Sequence, residues 1–318
     1  MDVPEAADAV ESVLEEVTGA VIAREAFLET LLTAVVAGGH VLLEDVPGTG
    51  KTLTARTLST ALGLEFSRLQ FTPDLLPADV TGSYVFDERD GSFEFREGPV
   101  FGNVVLADEI NRAPPKTQAA LLEAMSEGQV TVDGTTHQLP DPYVVLATMN
   151  PVEQEGTFPL PEAQRDRFWM KASIGYPDPD REKELLDRRA DRETEIPTVE
   201  PVLDTPGVTA LQAVPEAVTV QADLRAYMTS LVQRSRRHES VEVGVSPRGL
   251  QRLFELARAR AVLEGRDFVV PDDVERVAVP TLSHRLVLSP EARVGETDPA
   301  EVVDEVLRRT PPPTVAAE

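Results

Sequence analysis

The sequence predicts an α/β protein in which a parallel sheet covered by helices is followed by an all-helical C-terminal part. Three observations support this prediction. Short apolar runs typical of buried strands alternate with helical segments along the N-terminal half. A glycine-rich loop follows the first of these runs and leads directly into a helix. From about residue 177 the apolar residues fall only at helical spacing.

The predicted elements follow from local patterns. Two helices are expected within residues 9–37, where apolar residues recur on one helical face. The predicted strands are His40–Leu43, Glu65–Phe71, Val104–Ala107, Tyr143–Ala147 and Phe168–Ile174. Gly82–Gly98 and Gly128–Leu139 alternate in polarity around Asp90-Gly91 and Asp133-Gly134, which predicts two β-hairpins.

We therefore predict an α/β core over residues 1–176 with two hairpin insertions, a helical domain over 177–309 and a disordered tail over 310–318. Within the helical part, Ser246 followed by Pro247 is a typical helix start. The stretch from about 190 to 217 is rich in Pro, Thr and Val and has no predicted structure.

Composition restricts the class of protein. The 318 residues are 42% hydrophobic, enough for about two domains with ordinary cores. The absence of Cys excludes disulfides and thiolate metal sites, and the four histidines are too scattered for a structural zinc site. With no signal peptide and no uninterrupted apolar span, we expect a soluble, cytoplasmic protein.

The chain is strongly acidic, with a formal net charge of −25. Such self-repulsion opposes compaction in dilute buffer and is largely screened at about 1 M salt. We interpret the charge as adaptation to a saline cytoplasm; the alternative is an acidic surface for a basic partner. Either way, long-range attraction to nucleic acid is disfavoured.

Residues Glu44–Thr52 have the sequence EDVPGTGKT and predict a loop that holds a triphosphate. Glycines let backbone amides approach phosphate, while Lys51 can reach the β- and γ-phosphates and Thr52 can ligate Mg²⁺. Asp45 stands where the usual motif begins with glycine, and an ordinary glycine turn is the structural alternative. The candidate nucleotide-binding residues of this segment are Pro47, Gly48, Thr49, Gly50, Lys51, Thr52 and Leu53.

Polar residues that follow two of the predicted strands are candidates for catalysis. Asp108 and Glu109 end the strand at 104–107, where one carboxylate can hold Mg²⁺ and the next can polarise an attacking water. Asn150 follows the strand at 143–147 and can orient that water. The alternatives are solvated acids at a strand end and a structural Asn-Pro turn.

Three arginines are candidates for contacting a nucleotide. Arg165 and Arg167 lie at a predicted helix end, and one of them could reach the site of an adjacent subunit. Arg248 lies in the first turn of a helix, where a cation is unfavourable for the helix dipole, so a nucleotide contact would explain it. The alternatives are helix-dipole complements and an ordinary surface arginine.

Together these residues resemble the MoxR family of AAA+ ATPases. The resemblance is carried, in order, by LLEDVPGTGKT, VVLADEINRAPPKTQAALLEAMSEGQVTVDG, LATMNPVEQEGTFPLPEAQRDRFWM, SPRGLQ and LEGRDFVVPDDV, and covers about residues 10–290. The block ADEINRAPPKTQAALLEAM is the family-specific part. The resemblance implies a parallel-sheet P-loop AAA+ core with a C-terminal all-α lid domain.

The resemblance also implies roles, with ATP and Mg²⁺ as ligands. Lys51 and Thr52 would form the Walker A pair, and Asp108 and Glu109 the Walker B pair, with Thr52 and Asp108 on the metal. Asn150 would be sensor 1, Arg167 (or its neighbour Arg165) the arginine finger and Arg248 sensor 2.

Other implications concern larger features. The strand before Asn150 would lie between the other two motif strands, and adenine would sit near Ile22–Glu25, where Ala23 replaces a frequent glycine. The hairpins would line the pore of a ring, which the resemblance implies to be a hexamer.

Three functions are compatible with this resemblance. The first is an ATPase that remodels or matures protein clients, for which the resemblance implies a von Willebrand factor A domain partner. The second is a nucleic-acid motor, which is disfavoured because Gly82–Gly98 carries Arg89 and Arg96 against five acids, and Gly128–Leu139 carries no Lys or Arg. The third is a chelatase-type assembly subunit, which the sequence separates poorly from the first.

Overall fold

The computed structural model of the protein describes residues 1–89, 91–151, 156–192, 194 and 197–313. Up to residue 176 the helices and strands are α1 (Val3–Ala20), α2 (Glu25–Val36), β1 (Val41–Glu44), α3 (Lys51–Ala61), β2 (Phe66–Gln70), α4 (Pro77–Thr81), β3 (Gly82–Asp87), β4 (Ser92–Glu97), β5 (Val104–Asp108), α5 (Pro115–Glu127), β6 (Gln129–Val132), β7 (Thr135–Gln138), β8 (Val144–Met149), α6 (Glu162–Arg165) and β9 (Met170–Ala172). The following elements are α7 (Pro179–Ala190), α8 (Thr205–Ala213), α9 (Ala222–Ser235), β10 (Val241–Val243), α10 (Pro247–Leu263), α11 (Pro271–Leu282), β11 (Val287–Leu288), α12 (Pro290–Val294) and α13 (Pro299–Arg308).

Five strands form one parallel sheet in the order β2-β5-β8-β1-β9. This confirms the predicted fold class, and it places β8, which precedes Asn150, between β1 and β5. Because neighbouring strands run in the same direction, the segments that follow β1, β5 and β8 meet at one edge of the sheet. Ligands in open α/β sheets bind at this edge.

The sheet is buried on both faces. Leu106 and Leu146 belong to a hydrophobic cluster formed with α1, α2 and α3, whereas Val105, Ala107 and Val145 belong to a second cluster formed with α5. Successive side chains of a strand point to opposite faces. Burial of both faces therefore explains why the strand sequences are continuously apolar.

The first helix begins earlier than the apolar pattern at 9–37 predicted. The Asp2 carboxylate accepts a hydrogen bond from the Glu5 amide at 2.9 Å, and the Glu5 carboxylate accepts one from the Asp2 amide at 3.0 Å. This reciprocal cap satisfies two amide donors at the helix start. It therefore fixes the start of α1 at Val3.

Both predicted hairpins are present, as β3 with β4 and β6 with β7. In the second hairpin Asp133 and Gly134 have φ of 49° and 82°. Positive φ at both central residues is the geometry that an Asp-Gly turn favours. In the first hairpin Gly91 has φ of 63°, and Asp90 lies outside the described residues.

The C-terminal part is mainly helical and includes a short antiparallel pair of β10 and β11, in which Val241 pairs with Leu288. Strands of three and two residues are too short to show alternation in sequence, so the pattern missed them. Helix α8 lies in the stretch for which no structure was predicted. The Asp204 carboxylate caps it by accepting a hydrogen bond from the Gly207 amide at 2.8 Å.

The segment before α8 packs against the core. The amides of Val202 and Leu203 lie 2.8 and 3.3 Å from the carbonyl oxygen of Ala61. Gly63 has φ of +63°, and a Cβ there would lie 2.2 Å from the Leu203 carbonyl oxygen. Only glycine permits this approach of two backbones.

At the chain end, Thr310 is buried and its hydroxyl donates to the Val306 carbonyl at 2.7 Å. Residues 314–318 of the predicted tail lie outside the described residues. None of the helices in the described part of the chain combines the length and the apolarity that crossing a bilayer requires.

His40 ties the start of β1 to two neighbouring elements. Its Nδ1 accepts a hydrogen bond from the Val145 amide at 3.1 Å, and its Nε2 donates to the Met125 carbonyl at 3.0 Å. These bonds require the neutral ring with the proton on Nε2. Burial lowers the pKa of His40 from 6.5 to about 4.

We expect His40 to make folding sensitive to acid. Between pH 6.5 and about 4 the unfolded chain takes up a proton at this ring and the folded chain does not. The free energy of unfolding should therefore fall by about 3 kcal/mol across that window, and the contribution is complete above it. Urea unfolding at pH 7 and pH 4.5 should show a smaller fall in His40→Gln; an equal fall would contradict the assignment.

Candidate nucleotide site

The loop between β1 and α3 is open to an anion. Gly48 and Gly50 have φ of +85° and +90°, and a Cβ on either would meet no atom of the described part of the chain within 4 Å. Gly50 is the N-cap of α3, and none of the described side chains caps this helix. The uncapped helix start and the left-handed glycines give the geometry in which backbone amides bind phosphate.

Lys51 lies over the loop. Its ammonium donates to the carbonyl oxygens of Asp45 and Val46 at 2.8 and 2.9 Å. Burial lowers the pKa of Lys51, while the charges of Asp45, Asp108 and Glu109 oppose that shift. Two backbone carbonyls and the nearby carboxylate charges therefore hold the ammonium within the site.

Asp45, which replaces the usual first glycine of the motif, anchors the loop. Its Oδ2 accepts hydrogen bonds from the amides of Ile174 and Gly175 at 2.7 and 2.9 Å and from the Ser173 hydroxyl at 3.2 Å. Its Oδ1 accepts from the Val46 amide at 2.9 Å. The substitution therefore fastens the loop to the segment after β9.

We expect Asp45→Ala to lower the free energy of unfolding by about 3 kcal/mol, because it leaves buried amides without an acceptor. Urea unfolding measures the change, and Asp272→Ala, on an exposed carboxylate, is the matched control. A loss no larger than that of the control would contradict this anchoring role.

A cavity of about 410 Å³ lies in front of the loop. It is lined by Pro47, Gly48, Gly50, Lys51, Thr52, Leu53, Arg68, Gln70, Asp108, Glu109, Thr148 and Asn150. The fold thus brings nine of the sequence-predicted site residues together. Thr49, Arg167 and Arg248 do not line the cavity, and the Thr49 hydroxyl instead donates to the Val46 carbonyl at 3.3 Å.

Thr148 connects the two acidic residues to β8. Its hydroxyl donates to Asp108 Oδ1 at 2.7 Å and accepts from the Glu109 amide at 2.8 Å. Glu109 has φ of 56° and ψ of 49°, a left-handed conformation that is uncommon outside glycine. Strained residues of this kind cluster at functional sites.

Three further contacts hold the carboxylates. Arg68 pairs with Asp108 Oδ2 at 2.7 Å, while Gln70 and Arg112 donate to Glu109 Oε2 at 2.8 and 3.0 Å. Sequence analysis missed Arg68, Gln70 and Thr148. For Arg68 and Gln70 a sequence pattern existed, because these two polar residues are two positions apart near the end of β2 and therefore share one face of the strand.

The residues present fit a magnesium ion bound together with phosphates. No group of three or more His, Cys, Asp or Glu side chains in the described ranges could hold a metal by itself. Thr52 and Asp108 both line the cavity and offer the oxygen ligands that Mg²⁺ prefers, and Mg²⁺ commonly uses few protein ligands beside substrate phosphates.

The candidate arginines lie outside the cavity lining. Arg167 donates to the carbonyl oxygen of Leu122 on α5. The Nε atom of Arg165 is buried and has no hydrogen-bond partner among the described residues. Arg248 lies with its Nε 3.9 Å from the carboxylate of Asp166, the residue between the other two.

The parallel sheet, the glycine loop and the acidic strand end define a P-loop ATPase core of the AAA class. Residues 40–170 match the model of the ATPase family associated with various cellular activities (AAA), and residues 233–306, here called the lid, match the AAA lid domain.

Relatives and a solved structure extend this likeness over most of the chain. "Uncharacterized protein YeaC" of Bacillus subtilis is 50% identical, over 87% of this chain and 86% of that protein. "Chaperone MoxR1" of Mycobacterium tuberculosis is 40% identical, over 96% and 83%. A crystal structure of a protein from Cytophaga hutchinsonii is 38% identical, with a TM-score of 0.90 over 98% of this chain and 96% of that one. The chain belongs to the MoxR family of AAA+ ATPases.

Proposed function

We propose that this protein hydrolyses ATP and uses the energy to remodel or mature protein clients. The observation that carries the proposal is the cavity in front of the uncapped start of α3. Phosphate-binding residues (Gly48, Lys51) face potential catalytic ones (Glu109, Asn150) across it. Phosphoryl transfer from a nucleotide needs both the phosphate-binding and the catalytic residues, and few other reactions do.

Each side chain has a distinct part in this reaction. The loop amides bind the β- and γ-phosphates, and Lys51 exchanges its two carbonyl acceptors for phosphate oxygens. Thr52 and Asp108 hold Mg²⁺, which when bound neutralises charge on the phosphates. Glu109 accepts a proton from the attacking water, and Asn150 orients that water.

Contacts of the nucleotide with the lid and with the next subunit would couple ATP hydrolysis to movement of these parts. Arg248 binds phosphate from the lid, and Arg167 reaches the site of the next subunit in a homo-oligomeric ring, which we propose to be a hexamer. Loss of the γ-phosphate removes both contacts, as in other nucleotide switches.

Protein clients are favoured over nucleic acid by the first hairpin, because its two arginines stand against five acidic residues that repel phosphates, and its exposed aromatic side chains can contact a polypeptide. Phe86 and Phe93 face each other across β3 and β4, with 51% and 69% of their surface exposed. Exposed aromatic side chains suit contact with a polypeptide. One relative is named a chaperone. A von Willebrand factor A domain protein is the partner we propose.

The test is nucleotide turnover by the purified full chain. With ATP, Mg²⁺ and molar KCl, we expect binding of ATP and release of phosphate. A chain that neither binds nor cleaves ATP would refute the function. Capture of a client on Glu109→Gln in ATP, absent in ADP, supports remodelling; no difference between the nucleotides argues against it.

We propose that the acidic surface suits a saline cytoplasm. With a net charge of −25, the acidic side chains of the surface repel one another in dilute buffer. The thermal midpoint should therefore rise between about 0.1 M and about 2 M KCl, because the screening length falls from about 10 Å to below about 3 Å. A midpoint that is highest in dilute buffer would contradict this proposal.

A further inference from the structure

Asp166 is one of the residues through which the segment that carries both candidate finger arginines contacts the lid. Its Oδ1 accepts a hydrogen bond from Arg285 Nε at 2.8 Å. Its Oδ2 lies 3.9 Å from Arg248 Nε and 3.5 Å from the hydroxyl of Ser246, the N-cap of α10. Arg165 and Arg167 flank it in sequence, so whatever moves Asp166 moves their backbone.

The two arginines that face Asp166 are held very differently. The side chain of Arg285 is 2% exposed, and its Nη atoms also donate to the carbonyl oxygens of Phe168 at 2.7 Å and Trp169 at 3.1 Å. The side chain of Arg248 is 55% exposed, and its ion pair with Asp166 is long, at 3.9 Å. A buried, multiply bonded pair is costly to break, whereas an exposed pair contributes little.

The rest of the segment is fixed by packing. Phe168 is fully buried beneath the sheet, and the guanidinium of Arg252 stacks on the ring of Trp169 at 3.7 Å. Burial lowers the pKa of Arg285 to about 10, with Asp166 opposing the shift, so this arginine stays charged near neutral pH.

Resting on the proposed function, we propose that Asp166 is a positioning residue. It sets the position of the arginine that reaches the neighbouring subunit, and that position depends on what Arg248 binds. Arg285 is its permanent partner, and Arg248 is its exchangeable one. When Arg248 turns to a phosphate in its own subunit, Asp166 keeps only Arg285. The charge balance beside Arg165 and Arg167 then changes. Asp166 thus relays the nucleotide state of one site to the next site.

A purely structural role for Asp166 is the competing explanation. It predicts lower stability and a defect confined to the subunit that carries the change. The relay predicts instead that the nucleotide site of the altered subunit stays competent and that the defect appears in its neighbour. Subunit mixing separates these outcomes.

The experiment uses Asp166→Asn, which keeps the shape and removes the charge. We expect turnover to fall about 10- to 100-fold, as for a misplaced catalytic group, with the KM for ATP within about twofold of wild type. Addition of excess Glu109→Gln subunits, which bind ATP without hydrolysing it and have intact arginines, should restore several-fold activity per Asp166→Asn subunit.

Four controls decide the interpretation. Asp166→Glu keeps the charge and should retain most activity, and Asp272→Asn, on an exposed ion pair, should match wild type. Arg248→Ala acts in its own subunit and should not be rescued by the same mixture. Arg167→Ala or Arg165→Ala should be rescued.

Rescue of an arginine variant without rescue of Asp166→Asn overturns the relay and leaves the proposed function standing. If Asp166→Asn does not fold, an inactive Asp166→Glu that folds and is not rescued in the mixture overturns it equally. If neither arginine variant is rescued, no arginine of this segment acts in trans, and the relay is refuted as well. Absence of turnover in wild type would refute the proposed function itself.

Discussion

Glu109→Gln is expected to bind ATP as wild type does and to hydrolyse it about 10³-fold more slowly, because an amide cannot accept the proton of the attacking water. The change is close to isosteric. The carbonyl oxygen of the amide can still accept hydrogen bonds from Gln70 and Arg112, which now bind Glu109 Oε2. Phosphate release and equilibrium binding of a fluorescent ATP analogue measure the two quantities separately.

Glu123→Gln, on an exposed position of α5, is the matched control and should leave both quantities unchanged. Turnover by Glu109→Gln within about threefold of wild type would remove Glu109 from the chemistry, since a general base contributes about 10²- to 10⁴-fold. Loss of binding together with turnover would indicate that the carboxylate shapes the cavity instead.

Local sequence patterns predicted the part of the site that local geometry determines. A strand, glycines and a helix in succession form a loop with exposed amides wherever they occur, so Gly48, Gly50 and Lys51 were identifiable. The same holds for Asp108 and Glu109 at a strand end. Their convergence at one sheet edge follows from parallel pairing, and the family resemblance supplied the position of β8.

Contacts between residues distant in sequence were not predictable in this way. Asp45 accepts hydrogen bonds from residues near 174, and Asp166 pairs with Arg285 across 119 positions. Neither contact produces a periodic pattern in the sequence, because each depends on a single side chain at a single position. The left-handed backbone conformation of Glu109 was not predictable for a related reason. The Glu109 amide donates to the Thr148 hydroxyl, which lies on a neighbouring strand.

The second large effect concerns Arg167. Its guanidinium donates to the Leu122 carbonyl on α5 and does not line the cavity of its own subunit. An arginine so placed can act on a nucleotide only from outside that cavity. Removal of an arginine supplied in trans lowers turnover by about 10³-fold or more. We therefore expect Arg167→Ala to bind ATP normally and to lose nearly all hydrolysis.

Mixing distinguishes action in trans from action within the subunit. Arg167→Ala subunits have an intact nucleotide site, and Lys51→Ala subunits have an intact arginine, so a mixed ring contains competent pairs that neither variant forms alone. Phosphate release should therefore rise well above the sum of the separate rates. The parallel measurement on Arg165→Ala identifies the residue: the variant with the larger loss and the larger rescue carries the finger. Equal, unrescued losses for both arginines would mean that this segment only supports the fold, because a residue that acts through its own subunit cannot be replaced by a neighbour.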